Sequence, residues 1–432
     1  MSYSTGTFLY EVSKRPFVRP LIFWVTGIIL QVCFPLQKVS LLIVAFVSGF
    51  MIITLLVPRK PPFEFIYHSR WVWGAIFSLL LVFLAIQMTY LTELRLQNPS
   101  EPGWLLSKAK EIQSQMVAKL DLLRLPDADK SVLATLTVNY RKAMTWELRN
   151  QFSVTGVVHI LSVSGFHVGI VCAFVNLLLS FFPKRIVVAR WVKYLLTMGS
   201  VWTFAYLTGL ATAAVRAAVM ITIYFTGKGV FGRDADRYNT LAGAAFCMLV
   251  YNPFYLFDVG FQLSYAAVFF ILYLQPRLSR LLDIRNPLIA YPWGVLTVTV
   301  SAQVGTVFLC SYYFGQTSLV FLFTNLSVSL LATILIPATL IWMILPFSIP
   351  GMEILRVFIE TLTRWFMWIV DSFASIPGAA LQVRFDFFEL LFSYLCLFLF
   401  FLYFRSRHYW TLMTALFVLL MMIYRQVFFY FR

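Results

Sequence analysis

"WVWGAIFSLLLVFLAIQMTYL", residues 71–91, decides the fold class, because no charged side chain interrupts it. A helix of about 20 apolar residues is long enough to cross the hydrocarbon layer of a bilayer. In lipid only helices or closed barrels satisfy every backbone polar group. The short alternating segments that would form a barrel are missing from this chain. Two further runs lie upstream, "LIFWVTGIILQVCFPL" (21–36) and "LLIVAFVSGFMIITLLV" (41–57). The first follows the basic "KRPFVR" but no small-residue cleavage site follows it, so we read it as a retained helix. The 432 residues are 60% hydrophobic and 12% charged, with a mean hydropathy of +0.82. The sequence therefore predicts an all-α polytopic integral membrane protein. It should hold about 11–13 transmembrane helices, some of them broken or re-entrant, plus interfacial amphipathic helices.

Lys and Arg number 34 against 18 Asp and Glu, a net charge of +16. A nucleic-acid partner is one reading of that excess. The other is the positive-inside bias of a membrane protein. Basic loops at 58–70, 183–193, 227–237, 276–285 and 405–408 share the cytoplasm with the basic N-terminus if an even number of spans separates them. Residues 92–156 nearly balance their charges and are expected outside. Three segments follow from this reading: N-terminal transmembrane helices at 1–95, an extracytoplasmic helical segment at 96–151, and a transmembrane domain at 152–432. Within the middle segment, apolar residues at 105, 109, 112, 116, 120 and 123 have helical spacing. "VLATLTVNYRKAMTWELRNQF" (132–152) reads as a second helix. Both suit a membrane surface or a docked protein partner. Residues 350–387 also read as interfacial, placed outside between a hairpin broken around Pro337 and the last two spans.

Missing motifs narrow the chemistry. There is no G-x-x-x-x-G-K-[ST] and no H-E-x-x-H, and only four histidines are present, His68, His159, His167 and His408. His159 and His167 are eight residues apart, too far for two ligands on adjacent turns of one helical face. Ser164 and His167 are three apart, but no group is placed to orient the base that a nucleophile needs. The five cysteines lie in apolar runs without paired spacing and read as small core residues. The expectation is a chain that is not an enzyme, with no metal and no cofactor.

Polar groups inside apolar runs are costly, and they usually face a cavity or each other. "HILSVSGFHVG" (159–169) places His159, Ser162, Ser164, Gly165 and His167 at the start of a membrane helix. Arg216 sits among small residues in "TGLATAAVRAAVM" (208–220). Asp258 and Gln262 lie in "PFYLFDVGFQLSYAAV", Gln303 in "VTVSAQVGTVFL" and Asn325 in "FLFTNLSVSLLATILIP". Gly165, Gly209, Gly260, Gly305 and Pro253 are placed to interrupt helices, or to allow close packing. Together these residues predict a polar interior path. The alternative is that each amide or hydroxyl bonds a neighbouring helix.

Four segments resemble, in order, the signatures of the ComEC family of bacterial competence proteins. "HILSVSGFHVGI" (159–170) is similar to its H-L-L-A-I-S-G-L-H-V motif, and 208–220 to its T-G-x-x-x-S-A-x-R-A segment. Residues 237–268 resemble the R-x-N-x-L-A…N-P…L-x-D-x-G-F-Q-L-S block, and 301–326 the A-Q-x-G-T…F…N-L block. The resemblance implies a channel in the bacterial cytoplasmic (inner) membrane that takes up single-stranded DNA during transformation. His159, Ser162, Ser164 and His167 would then line its mouth, with the helix opening from Ser162 to Gly165. It also implies partners beyond membrane lipids. These are a cytoplasmic motor, a separate nuclease or DNA-binding protein, and further copies of the chain. Family members commonly add an OB-like domain and a metallo-β-lactamase-like domain. Here 92–156 reads as helices and no histidine motif follows, so the chain is expected to be the membrane core alone. Transport of another polyanion or a lipid-linked substrate, and a non-transporting scaffold, remain alternative readings.

Overall fold

The apolar runs fold as helices, each of which closes its own backbone hydrogen bonds. The computed structural model describes residues 15–35, 46, 49, 63–97, 103–183, 186–229 and 236–430. The expected span at 41–57 lies outside the described residues, apart from Phe46 and Gly49. Five helices among the described residues are long and apolar enough to cross a membrane: Val72–Gln97, Val259–Ser279, Pro287–Phe314, Phe321–Ile344 and Phe387–Ser406. Shorter apolar helices are Val18–Cys33, Gly165–Phe181, Thr212–Gly227 and Tyr409–Arg425. The protein is an all-α, multi-pass membrane protein.

Two compact units interleave along the chain. The first comprises residues 1–113 and 164–262. It holds α1 (Val18–Cys33), α2 (Phe63–Gln97), most of α3 (Trp104–Ala118), α6 (Gly165–Leu178), α7 (Val187–Leu207), α8 (Thr212–Gly229) and α9 (Arg237–Tyr251). Helix α1 packs on both α2 and α9. Gly27 makes the α1–α2 approach possible: a Cβ there would lie 2.6 Å from the Val82 carbonyl. Helix α8 packs on α6, α7 and α9.

The second unit comprises residues 114–163 and 263–432. It holds α4 (Asp127–Val138), α5 (Trp146–Val154), most of α10 (Val259–Ser279), α11 (Pro287–Phe314), α12 (Phe321–Ile344), α13 (Met352–Ala374), α14 (Phe387–Ser406) and α15 (Tyr409–Tyr430). A two-stranded antiparallel sheet pairs β1 (Thr317–Ser318) with β2 (Ala380–Leu381). Helix α12 packs along α13 and α4, and α14 along α15 and α11.

Three local expectations change. The helix expected over 132–152 is two helices. Asn139 ends α4 in the left-handed region (φ 59°), and Thr145 starts α5 by accepting the Leu148 N–H. Moreover, Ser131 to Val138 are all buried, so α4 is a core helix and not a surface one. The hairpin expected to break at Pro337 is a single helix, α12, with Pro337 inside it. One missing N–H is tolerated where packed neighbours enclose the helix, and Leu335 to Leu340 are buried without a gap. Gly305 does not interrupt α11. It allows Phe270 to pack against it, since a Cβ would lie 2.5 Å from that ring.

Candidate functional site

The first unit gathers Ser164, Gly165, His167, Arg216, Asp258 and Gln262. Ser164 is the N-cap of α6, and its Oγ accepts the Phe166 N–H at 3.3 Å. The Ser164 N–H donates to His167 Nδ1 at 3.2 Å, which completes a capping box. An accepting Nδ1 leaves the ring proton on Nε2. His167 is 0% exposed. Expected at the mouth of a path, it instead holds the start of α6 from inside the unit. Gly165 faces α8: a Cβ there would lie 3.7 Å from Ala217, the residue after Arg216.

Arg216 is 3% exposed. Its Nη2 donates to the Gly260 carbonyl at 2.9 Å, and its Nη1 lies 3.9 Å from Asp258 Oδ1. The guanidinium also sits 6.0 Å from the Phe261 ring centre. Asp258 has a second task, because its Oδ1 accepts the Phe261 N–H at 2.7 Å and caps α10. Gln262 donates to the Leu256 carbonyl at 3.0 Å and closes the short 3-10 turn Pro253–Phe257. Pro253 therefore starts that turn, and Gly209 (φ 70°) makes the turn between α7 and α8. The buried cation thus sits against a helix that begins mid-chain, and its counter-ion is 46% exposed.

The second unit holds His159, Ser162, Gln303 and Asn325. His159 lies in the 3-10 turn Val158–Leu161 and keeps an exposed edge. Protein crowded around the rest of the ring pulls its pKa below the ordinary histidine range, against the opposing Gly156 backbone and Asn325 side chain. The ring is neutral at pH 7. Asn325 is buried on α12 and donates to Thr299 on α11 at 2.7 Å, and its Oδ1 accepts from Ser329 at 3.2 Å. Gln303 is half-buried on α11, four residues beyond Thr299. Ser162 accepts from Arg141 Nη2 at 2.7 Å, and Asn139 accepts from Arg141 Nε at 3.2 Å. Arg141 was not anticipated. It falls in the segment expected to be one helix over 132–152, and nothing in sequence links it to Ser162, 21 residues away.

A relative, ComE operon protein 3 of Bacillus subtilis (strain 168), is 30% identical over 231 residues, which cover 52% of this chain and 27% of that protein. The aligned region is thus about a quarter of the relative's length. No solved structure matches. The Competence protein family matches over residues 136–408, more than half of the chain and all of the polar groups just described, so the chain belongs to that family.

Proposed function

We propose that this protein forms the core of a channel that takes up single-stranded DNA across the bacterial cytoplasmic membrane during natural transformation. Membership in the Competence family and the relative in Bacillus subtilis support this reading. The observation that carries it is Arg216, a cation buried in an otherwise apolar helix and held against the start of α10. A guanidinium offers forked donors that suit phosphate oxygens. Asp258 sits 3.9 Å away and is partly exposed, so a passing phosphate could take its place as counter-ion. Neutral His159, with Asn325 beside it, offers hydrogen bonds without a charge that would trap a polyanion. The chain provides passage and carries out no bond chemistry. A cytoplasmic motor that supplies the driving force and a separate nuclease that degrades one strand are the partners this reading assigns to the channel. Deletion in a competent strain tests this with end-labelled DNA. Loss of label inside the membrane is expected while surface binding persists. Unchanged uptake sinks the reading, and unchanged uptake with an envelope defect turns it toward a lipid-linked or other polyanionic substrate.

A further inference from the structure

Three cations lie where α4 gives way to α5: Arg141 and Lys142 on the connecting loop and Arg149 on α5, with Glu147 the one carboxylate between them in sequence. Arg141, Lys142 and Arg149 are all exposed. Elsewhere Arg15, Lys108, Lys130 and Arg356 pair with carboxylates, but among the described residues none of these three does. The partners of Arg141 are neutral: Ser162 Oγ at 2.7 Å and Asn139 Oδ1 at 3.2 Å. These two bonds tie the guanidinium to a residue in the left-handed region, Asn139, and to Ser162, the extended residue that follows the His159 turn. Protein crowding around its base, and after that the Arg149 charge, lower the pKa of Arg141, although its surface remains exposed. Arg141 and Lys142 are adjacent on the loop, and like charges held side by side are costly until an anion bridges them. Aromatic surface lies among them. Lys142 Nζ is 5.9 Å from the Tyr140 ring centre, and Trp146 is 74% exposed.

We propose that Arg141, Lys142 and Arg149 form a docking site for the phosphodiester backbone of single-stranded nucleic acid, with Trp146 stacking on a base. The proposal rests on the DNA-uptake reading and adds a site to it. Cationic grooves that track the backbone, with aromatic rings beneath the bases, are how single strands are held without sequence preference. An anionic lipid headgroup would satisfy the cations, but it has no ring to place on Trp146.

The test uses the full chain in phosphatidylcholine nanodiscs and a fluorescent oligothymidylate, followed by anisotropy across a salt series. Lys142→Gln and Arg149→Gln are the primary variants, because neither side chain makes a hydrogen bond among the described residues. Each should weaken binding and lower the slope of log affinity against log salt by about 0.7. Trp146→Ala should weaken binding and leave the slope unchanged. Arg141→Ala should do both its charge's share and more, since its loop loses two ties. Variants that bind with wild-type affinity and slope overturn the site, as does a wild type that does not bind the oligonucleotide. So does a loss that appears only when phosphatidylglycerol replaces phosphatidylcholine, which would mark a lipid surface. Uptake by cells separates this from the broader reading. If the wild type transports DNA and the variants match it in binding and uptake, the channel reading stands and the site falls.

Discussion

Arg216 and Asp258 are an unequal pair. Asp258 is 46% exposed and its oxygen is 3.9 Å from Nη1, so the ion pair itself contributes under about 1 kcal/mol. The shorter bond runs from Nη2 to the Gly260 carbonyl at 2.9 Å, a charged donor whose loss costs about 1.5–3 kcal/mol. Arg216→Ala should therefore lower thermal stability in detergent by that amount. Asp258→Asn should stay near wild type because Asn still caps α10, whereas Asp258→Ala should lose about 1 kcal/mol. The exchange Arg216→Asp with Asp258→Arg should not restore expression, since Asp at 216 cannot donate to Gly260. Full recovery by the exchange would show that the pair, and not the carbonyl bond, holds α8 to α10. His167 gives a second test. As the N3 member of a capping box, His167→Ala should cost about 1 kcal/mol. His167→Gln should recover most of it, because Gln commonly fills that position. If both variants melt like the wild type but abolish uptake, His167 acts on the substrate and not on the helix.

Two glycines fix how elements meet in the second unit. Gly156 has φ 77°, and a Cβ there would lie 2.6 Å from the Phe321 Cβ. Gly305 lies against Phe270 and its carbonyl accepts from the Tyr394 hydroxyl at 2.7 Å. Gly305→Ala forces a ring to move and should cost about 1–3 kcal/mol. Gly156→Ala adds left-handed strain of about 1–2 kcal/mol to a clash with the Cβ atoms of Phe321 and Ser318 and should be the worse of the two. Gly169, in mid-α6 with nothing within 4 Å of an added Cβ, is the control. Gly169→Ala should raise stability by up to about 1 kcal/mol. Thermal unfolding of the three variants gives the order directly, and equal losses at 169 and 305 would contradict the packing.

At the scale of the whole molecule, α12 is the helix whose role changes most. Its hydropathy suits a span, yet both of its ends meet the 114–161 segment. Gly156 lies against Phe321 at its start. At its other end the Trp342 indole donates to the Lys119 carbonyl at 3.2 Å, and Lys119 Nζ donates to the Leu345 carbonyl at 3.5 Å. Helix α13 then returns alongside, and β2 pairs with β1 next to the start of α12. The chain should therefore not change sides between 317 and 381. With the native cysteines replaced, Asp121→Cys and Ser348→Cys should react with the same impermeant thiol reagent, from outside the cell. Labelling of Ser348→Cys from the cytoplasm alone would make α12 a true crossing.

Composition and run length were enough to specify a helical membrane protein, because lipid permits few backbone solutions. The motifs at 159–170, 208–220, 237–268 and 301–326 pointed to the family and to the polar residues. A periodic pattern reports one helix and one face at a time. It could not reveal that Ser131 to Val138 are buried all round, nor that α12 runs straight through Pro337, because both depend on what packs against the helix. For the same reason the units interleave in sequence, with the division falling between Val163 and Ser164 inside one motif. The tertiary structure alone placed His167 in a cap, gave Arg216 a backbone carbonyl, and set Arg141 on Ser162. The Arg216 and Arg141 bonds join residues 44 and 21 positions apart, a separation at which only chain folding brings a donor to its acceptor.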